Sequence, residues 1–232
     1  VYCLDGLDGP VIWEAFLGGA GFAVKAIADI NGDDIPDALA GCSDADETQG
    51  FAKAINGSNG SILWTYPTSG TSVWALAQLD DINEDGVKDV VAGSFNGQLY
   101  LLDATNGDLL AQGFAGNNII LRLIPVGDMN DDSFTDFAMA YSGTSLIVYD
   151  GKTGAQLYSK SLPDKAWNVE RIPDITGDLR DDLATGTLYQ SNYAGFYDGV
   201  DGAELFSTAF GQAIDALTVL PDITEDNSWE MV

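Results

Sequence analysis

Residues 81–89, with the sequence Asp-Ile-Asn-Glu-Asp-Gly-Val-Lys-Asp, place oxygen-bearing side chains at the first, third, fifth and ninth positions of a short segment. The backbone carbonyl at the seventh position can supply one more oxygen. Ca²⁺ prefers hard oxygen ligands of this kind, and a Gly at the sixth position permits the sharp turn that a metal loop needs. The segment therefore predicts a calcium-binding loop.

The same pattern recurs in step along the chain. Asp, Asn and Gly are common in ordinary turns, so a single copy would be weak evidence for a metal. The first residues of the five copies, at 29, 81, 128, 174 and 222, are separated by 52, 47, 46 and 48 positions. A period of about 47 is typical of a repeat architecture.

We call the five segments loops one to five and predict the same ligand positions in each, the seventh residue contributing its backbone carbonyl. The predicted ligands are Asp29, Asn31, Asp33, Ile35 and Asp37; Asp81, Asn83, Asp85, Val87 and Asp89; Asp128, Asn130, Asp132, Phe134 and Asp136; Asp174, Thr176, Asp178, Arg180 and Asp182; and Asp222, Thr224, Asp226, Ser228 and Glu230.

The five loops are not expected to bind equally well. Loops one to three have an Asn carbonyl at the third position, whereas loops four and five have a Thr hydroxyl, which is a poorer ligand for Ca²⁺. Leu179 stands at the sixth position of loop four, where the backbone favours Gly or Asn, so that loop carries a strain cost. We expect loops one to three to be the most securely occupied and loop four the least. The calcium is predicted to be structural, tying one strand to the next.

Composition sets the class of protein. The chain has 232 residues, is 46% hydrophobic and has a formal net charge of −27 with no His. The five loops hold 20 of its 36 acidic residues, four in each, so the charge is concentrated where cations would bind. This charge argues against nucleic acid or an anionic membrane as a partner, and there is no apolar run of the roughly 18 residues that a membrane span needs.

The ends and the cysteines give weaker expectations. The chain lacks an initiator Met, shows no cleavable signal and opens in a strand-like segment, so we expect it to be a piece of a longer precursor. Millimolar extracellular calcium would fill even weak loops, which predicts a secreted or cell-surface location. For Cys3 and Cys42, two buried free thiols are favoured over a disulfide.

One period reads as four short strands. The first strand is the alternating apolar run from Val73 to Leu79, which precedes loop two, and the second strand runs from Val87 to Ser94. Asn96-Gly97 makes a hairpin turn, and the third and fourth strands run from 98 to 103 and from 108 to 112. A second turn repeats at 4–9, 55–60, 102–107, 149–154 and 197–202, and its final Gly suits a bulged hairpin rather than a phosphate site.

Four-stranded units of this length, arranged radially, are β-propeller blades, so we predict an all-β fold with residues 1–232 in one propeller domain. The chain opens in a third strand and ends in a second strand, and the two termini are expected to share a blade. A closed five-bladed ring and part of a seven- or eight-bladed one both remain open.

The D-x-N-x-D-G-x-x-D pattern, complete at Asp81 to Asp89, resembles the FG-GAP/VCBS class of calcium-binding propeller repeats, which includes integrin α-subunit head domains. That resemblance implies a propeller with Ca²⁺ between the first and second strands of a blade, and no single activity. The segment 55–64 also looks like a quinoprotein-type repeat with a Trp in the fourth strand. Only Trp13 and Trp64 fit; Ala111, Tyr158 and Phe206 stand in later units, which argues against a quinone cofactor. An EF-hand is excluded, since loops one to four carry no Glu at a twelfth position.

A ligand-binding face is predicted at the channel mouth, opposite the metal loops. Seven residues before each leading Asp stand Phe22, Trp74, Leu121, Trp167 and Asp215, and we expect the aromatic members, supported by Arg122, Asn168 and Asp215, to form a platform for a sugar or peptide. Inter-blade packing is the alternative for this ring. The residues five before each leading Asp, Val24 among them, are predicted to be core. The connections 43–50 and 188–193 are further candidates for binding loops.

Three functions remain open from these patterns. The first is a non-enzymatic, calcium-stabilised binding or adhesion module for carbohydrate or an extracellular protein. The second is a propeller-type enzyme, either a quinone-dependent dehydrogenase or a polysaccharide lyase, and the absence of His weighs against it by removing the commonest general base. The third is a structural spacer in a surface protein or filament. We favour a binding module over an enzyme.

Overall fold

A computed structural model describes residues 1–188, 192–224 and 229–232. Regular structure in these residues is entirely β, in twenty strands. The part described contains no helix long and apolar enough to span a membrane. The strands are β1 (Tyr2–Leu4), β2 (Val11–Glu14), β3 (Gly21–Ala26), β4 (Ala38–Ser43), β5 (Gly50–Ile55), β6 (Ile62–Pro67), β7 (Val73–Gln78), β8 (Val90–Ser94), β9 (Gln98–Leu102), β10 (Leu109–Phe114), β11 (Ile120–Gly127), β12 (Asp136–Tyr141), β13 (Ser145–Tyr149), β14 (Gln156–Ser161), β15 (Lys165–Ile172), β16 (Asp182–Leu188), β17 (Tyr193–Tyr197), β18 (Glu204–Ala209), β19 (Val219–Leu220) and β20 (Glu230–Met231).

The strands form antiparallel meanders in which each strand pairs with the next along the chain. Four sheets have four strands each: β3 to β6, β7 to β10, β11 to β14 and β15 to β18, here called blades 2 to 5. The pair β1–β2 is called blade 1, and β19–β20 form a further pair. The prediction of an all-β propeller built from four-stranded blades is confirmed.

Blade 3 shows how closely the local pattern sets the strands. The hairpin at Asn96-Gly97 forms as predicted, with Gly97 at a φ of 82° and its N–H 3.2 Å from the carbonyl of Ser94. The second strand begins at Val90, three residues later than the prediction of Val87. The reason is that residues 87–89 still belong to loop two, where the Asp89 carboxylate bonds the loop backbone.

The hairpin between the third and fourth strands is also as predicted. Its final Gly has a positive φ in every copy, and the N–H of that Gly bonds the carbonyl four residues earlier, as Gly107 does to Asp103 at 2.8 Å. The strand register shifts beside the turn, between Leu109 and Ala111 in blade 3, which is the expected bulge. The copies of this Gly are Gly9, Gly60, Gly107, Gly154 and Gly202.

The chain divides into two compact units, Val1–Asn117 and Asn118–Val232. In the first, a buried cluster joins blade 2 to blade 3 and includes Leu39, Trp64, Leu76 and Leu102. In the second, a corresponding cluster joins blade 4 to blade 5 through residues such as Val148, Val169 and Leu183. Burial of this apolar surface between neighbouring sheets stabilises each unit.

Two expectations about packing need correction. Val24 is 61% exposed rather than core, and it lines an open cavity of about 590 Å³ with Tyr2 and Phe16, whereas its counterpart Leu76 is 5% exposed. Val24 is on the side of blade 2 that faces this cavity, so no neighbouring sheet covers it. Both cysteines are free thiols, as favoured, but only Cys42 is buried, and Cys3 is half-buried.

Candidate functional site

The acidic loops join the first strand of a blade to its second strand, and their backbones share one conformation. The fourth and sixth residues adopt left-handed φ values in loops one to four, which turns the chain sharply twice within three residues. The strain predicted for Leu179 is present: its φ is 73°. The left-handed residues are Gly32 and Asp34, Glu84 and Gly86, Asp131 and Ser133, and Gly177 and Leu179.

The first Asp of loops one to four organises this turn by accepting backbone N–H groups. In loop one, Asp29 Oδ1 accepts from Asn31 at 3.1 Å and Gly32 at 2.8 Å, and Oδ2 accepts from Asp34 at 2.7 Å. Desolvation raises the pKa of Asp29, but these donors outweigh it, so the pKa lies below the ordinary value. Asp128 and Asp174 have lowered pKa values, and backbone donors again favour the charged form.

The fifth Asp caps the residue two positions later and reaches the neighbouring hairpin. Asp85 Oδ1 accepts the Val87 N–H at 2.8 Å, and its Oδ2 accepts the Thr105 hydroxyl at 2.9 Å. In the other three loops the fifth Asp likewise accepts the N–H of the seventh residue: Asp33 from Ile35, Asp132 from Phe134 and Asp178 from Arg180. The loop and the hairpin between the third and fourth strands are therefore linked by side chains.

The ninth Asp links the loop to the hairpin between the third and fourth strands through two hydrogen bonds, which the sequence did not predict. Asp89 is fully buried; its Oδ2 accepts the Ile82 N–H at 2.7 Å and its Oδ1 accepts the Ala104 N–H at 3.1 Å. Asp37, Asp136 and Asp182 repeat both bonds, to the second residue of their own loop and to Gly57, Gly151 and Gly199 in the hairpin. In loops one to four, the ninth Asp thus connects the acidic loop by hydrogen bonds to the hairpin between the third and fourth strands.

Burial has an electrostatic consequence for these carboxylates. Desolvation raises the pKa of Asp89 and of Asp136 to about 6, although backbone N–H donors oppose it. The pKa of Asp182 is raised for the same reason. Without a compensating cation, a buried carboxylate is held at a cost, which a bound metal ion beside it would offset.

A signal for this fastening was present in the sequence. The hairpin residue that donates to the ninth Asp is Gly57, Ala104, Gly151 or Gly199, always small and always the third residue of the turn motif. A Cβ on Gly151 would lie 1.9 Å from the carbonyl oxygen of Thr135, and a Cβ on Gly57 would lie 1.8 Å from that of Pro36. Hence the small residue marks a close approach of the hairpin to the loop.

The third residue completes the set of predicted oxygen ligands. Asn83 and Asn130 turn their amides toward the fifth Asp of the same loop, with their Oδ1 accepting the N–H of that Asp at 3.1 Å. Asn31 donates to both oxygens of Asp37 at 3.0 Å, and the Thr176 hydroxyl donates to Asp174 at 3.2 Å. Across the described residues, no three Asp, Glu, Cys or His side chains are gathered closely enough to hold a metal by themselves.

The donor chemistry of loops one to three nonetheless fits Ca²⁺. The ligand candidates are carboxylate, amide and carbonyl oxygens on a backbone that turns sharply at the fourth and sixth residues. In loops two and three each oxygen of the ninth Asp accepts one N–H and retains a second lone pair, so Asp89 and Asp136 can bond the backbone and still face a cation.

Loop five is described in part. Glu230 accepts the Ile223 N–H at 2.9 Å and the Thr224 hydroxyl at 3.0 Å, so it takes the place of the ninth Asp. Asp222 is the first residue of this loop. The predicted ligands Asp226 and Ser228 lie outside the described residues.

Arg180 places a cation between loops three and four. Its guanidinium pairs with Asp131 and donates to the Asp128 carbonyl, and Nη1 lies 4.0 Å from Asp128 Oδ1. The sequence predicted only a backbone carbonyl ligand at this position. The positive charge beside the first Asp of loop three partly neutralises the acidic cluster there.

The ligand-face candidates of the first unit form an aromatic cluster, which we call the aromatic platform: Phe22, Trp74 and Phe95. The rings of Phe22 and Trp74 stack with centroids 5.0 Å apart, and Phe95 tilts against Trp74 at 5.9 Å. The Trp74 indole N–H donates to the Ser72 hydroxyl at 2.7 Å, which fixes its orientation. Phe95, at the hairpin of blade 3, is 40% exposed and was not singled out from the sequence.

The candidates of the second unit are engaged with one another. Arg122 donates to Asn168 Oδ1 at 3.1 Å and pairs with Glu170, and Asn168 donates to the Asp215 carbonyl at 2.6 Å. Trp167 is half-buried in β15. These bonds connect the first strands of blades 4 and 5 and the segment that follows blade 5, so Arg122 and Asn168 serve inter-blade contact.

The binding-loop candidate 43–50 is a compact turn. Asp44 accepts the Thr48 N–H and hydroxyl, each at 2.7 Å. In the second candidate, 188–193, residues 189–191 lie outside the described part of the chain. The first loop is therefore a turn closed by its own hydrogen bonds rather than an extended flap.

Aromatic residues of the fourth strands form hydrogen bonds to the neighbouring blade. Trp13 donates to the Gly57 carbonyl at 2.7 Å, Trp64 to the Ala104 carbonyl at 2.6 Å, and the Tyr158 hydroxyl to the Gly199 carbonyl at 2.8 Å. The quinoprotein-like Trp positions thus have a packing role in this chain.

Comparison with known proteins agrees with this architecture. The chain is 25% identical to integrin alpha-V of Gallus gallus over 184 residues, which are 68% of this chain and 18% of the integrin chain. Among solved structures, Saccharomyces cerevisiae Sqt1 matches with a TM-score of 0.72 and 14% identity, over 99% of this chain and 62% of that one. The computationally designed Ika8 protein matches with a TM-score of 0.66 and 15% identity, over 97% and 62%. At these identities the structural likeness concerns the fold alone.

A family model supplies the assignment. The FAM234A/B beta-propeller model matches residues 41–177, more than half of the chain, and spans loops two and three with all of blade 3 and blade 4. Together with the integrin similarity, this match identifies a β-propeller of integrin-like type. The chain belongs to the FAM234A/B beta-propeller family.

Proposed function

We propose that this chain is an extracellular, calcium-stabilised, non-enzymatic binding module whose aromatic platform contacts a protein ligand. The observation that carries the proposal is the arrangement of Phe22, Trp74 and Phe95, in which two stacked rings support a third ring that is 40% exposed. Aromatic residues held rigid by packing are effective anchors in protein interfaces because they lose little conformational entropy on binding.

The mutual packing of the rings favours a protein over a sugar at this place. Phe22 stacks on Trp74 with an interplanar angle of 13°, so one face of the indole is already covered. A sugar needs a free aromatic face, whereas an apolar side chain of a protein partner can pack against the exposed edge of Phe95.

The acidic loops support the calcium and the location that we propose. Acidic residues cluster in loops whose oxygen donors fit Ca²⁺, and the repeats are of the integrin-like type. Sites of this kind in extracellular modules bind with dissociation constants on the order of 10⁻⁴ to 10⁻³ M, which extracellular calcium satisfies. A secreted or cell-surface location is therefore part of the proposal.

The chemistry of the chain supports binding over catalysis. The sequence has no His, and Arg122 and Asn168, the polar groups predicted beside the ligand face, are bonded to Glu170 and to each other. The Trp positions shared with quinoprotein repeats hold hairpin carbonyls of the next blade.

The test is a binding screen with matched variants. The immobilised chain is probed with an array of secreted and cell-surface proteins in millimolar calcium, and each ligand found is titrated against Phe95→Ala. We expect Phe95→Ala to weaken binding by about tenfold or more, the loss typical of an interface anchor. Phe210→Ala is the control, since Phe210 is a similarly exposed aromatic residue of the second unit, at 49%.

Two results would contradict the proposal. One is a protein ligand whose affinity is unchanged by Phe95→Ala and by Trp74→Ala. The other is an array without any protein ligand in calcium. Loss of binding on chelation, with recovery when calcium is restored, would support the calcium-dependent part separately.

A further inference from the structure

A polar cavity of about 500 Å³ lies in the first unit, between the end of the fourth strand of blade 2 and the outer strands of blade 3. Its walls carry Gln49, Tyr66, Gln98, Tyr100 and Gln112, and we call it the Gln98 cavity. Its volume is within the range of small-molecule sites, about 300–1,000 Å³. Of these five residues, Gln49 belongs to the binding-loop candidate 43–50, and the other four lie outside the motifs described above.

Strand register explains why these side chains converge. Gln98 and Tyr100 are two residues apart on β9, so they project from the same face of blade 3. Gln112 on β10 stands directly opposite Tyr100. Tyr66, on β6 of blade 2, packs its ring against that of Tyr100 with centroids 5.4 Å apart and an angle of 54°.

One part of the wall is fixed by internal hydrogen bonds. The Tyr100 hydroxyl accepts the Ser69 N–H at 2.8 Å and bonds the Ser69 hydroxyl at 2.7 Å, so it is held by two hydrogen bonds. Tyr100 is 2% exposed, and a side-chain hydrogen bond joins Gln112 to Tyr66. These contacts hold the two rings and Gln112 in place before any ligand arrives.

Another part of the wall has unused polar groups. The Gln98 side-chain amide, half-buried, has no hydrogen-bond partner within the residues that the structure describes. Gln49 donates from Nε2 to the carbonyls of Gly50 and Thr68, and its Oε1 is left as an acceptor in that same set of residues. Polar groups in a cleft, without protein partners, are satisfied by water or by a ligand.

The charge of the cavity selects the class of ligand. No charged side chain lines it, and the net charge of −27 opposes anions nearby. An amide both donates and accepts, which matches hydroxyl groups that do the same, and a half-buried Tyr offers ring surface to C–H groups. A polyhydroxylated, uncharged molecule meets all three conditions.

We propose that the Gln98 cavity binds a neutral saccharide, with Gln98 and Gln49 bonding hydroxyl groups and Tyr66 packing against the sugar ring. This site differs in its residues from the aromatic platform and does not depend on the protein ligand proposed for it.

The experiment uses the whole chain and an array of neutral oligosaccharides with terminal glucose, galactose, mannose or N-acetylhexosamine, beside sialylated and sulfated ones. The glycans that bind are titrated by calorimetry. We expect Gln98→Ala and Tyr66→Ala each to weaken the affinity for a neutral glycan by about tenfold or more. Gln156→Ala is the matched control, since Gln156 is an exposed Gln on a strand of blade 4. We expect its affinity to stay within about twofold of the wild type.

Further variants test whether the Gln98 cavity acts independently of the aromatic platform and whether a loss of binding is due to misfolding. Phe95→Ala is expected to keep its affinity for the glycan, so the two sites fail independently. Gln98→Glu keeps the size of the side chain and adds a negative charge, and it should lose the glycan as Gln98→Ala does. Thermal melts of every variant identify any that is unfolded.

Three results would overturn the proposal. The first is an array on which no neutral glycan binds at millimolar concentration. The second is preferential binding of the sialylated or sulfated glycans. The third is a neutral glycan whose affinity survives Gln98→Ala, Gln98→Glu and Tyr66→Ala in folded protein.

Discussion

Replacing Asp89 by Ala should destabilise the protein even when calcium is absent. The Asp89 carboxylate is fully buried and accepts the N–H of Ile82 within loop two and the N–H of Ala104 in the hairpin. The substitution removes the acceptor of both groups, and the Ala104 donor is deep enough that water cannot replace it without opening the blade.

The expected loss follows from these two donors. The buried Ala104 donor left without an acceptor costs about 1–3 kcal/mol, and the half-buried Ile82 N–H loses a hydrogen bond worth about 0.5–1.5 kcal/mol, so we expect a fall of about 2–4 kcal/mol in the free energy of unfolding. Asp89→Asn keeps the shape but presents one amide NH₂ to a donor, so we expect about half of that loss. Since a domain has about 5–15 kcal/mol of stability in total, the Ala variant should lose a substantial part of it.

Urea unfolding in excess chelator, followed by tryptophan fluorescence, measures the effect without a metal contribution. Asp108→Ala is the matched control: Asp108 is an exposed Asp of the same blade, and its backbone makes its hydrogen bonds to the residues that the structure describes. We expect that control to change stability by less than about 0.5 kcal/mol.

Two outcomes would refute the reasoning. If Asp89→Ala unfolds within about 1 kcal/mol of the wild type in chelator, the two hydrogen bonds do not hold the hairpin. If the variant is destabilised only when calcium is present, Asp89 acts as a metal ligand and the fastening of loop to hairpin is not its role.

Three further predictions concern the same repeats. At about 1 mM free Ca²⁺, loops one to three should together add about 1–4 kcal/mol of stability for dissociation constants of about 10⁻⁴ to 10⁻³ M, seen as a higher Tm that excess chelator abolishes; superimposable melts would contradict it. Gly151→Ala should cost about 2–3 kcal/mol in urea unfolding, because its Cβ would lie 1.9 Å from the Thr135 carbonyl oxygen, whereas Gly6→Ala, at the same motif position with open space around it, should be nearly neutral. Leu179→Gly should raise stability by about 1 kcal/mol by relieving a φ of 73°, and Gly86→Ala at the same loop position should lower it by a similar amount; equal stability of both variants and the wild type would exclude strain at this position.

The repeat and its strands could be read from the sequence because their signals are local. Alternating apolar residues around Leu76, a Gly at each hairpin and the spacing of acidic residues all act over a few positions, so they predict strand, turn and loop without knowledge of the fold. The start of β8 was misplaced because Val87 to Asp89 fit an alternating strand, while the buried carboxylate of Asp89 holds them in the loop.

The roles of the polar residues could be predicted from the sequence only in part. The types and spacing of Asp81, Asn83 and Asp85 indicated a cation loop, but their spacing did not show that Asp89 would bond a hairpin N–H of Ala104, 15 residues further along the chain. Similarly, Arg122 and Asn168 looked available for a ligand because their neighbours on the adjoining strands are about 46 residues away in sequence.

The sequence by itself determined the repeat, the blade and the placement of oxygen donors in each acidic loop, since each depends on residues within one turn or one strand. Only the tertiary structure decided which polar groups are used and which are left for a ligand. The physical reason is that a donor is satisfied by whatever acceptor folding brings near it: Arg122 meets Asn168 on the next blade, while Gln98 in blade 3 meets a cavity beside blade 2.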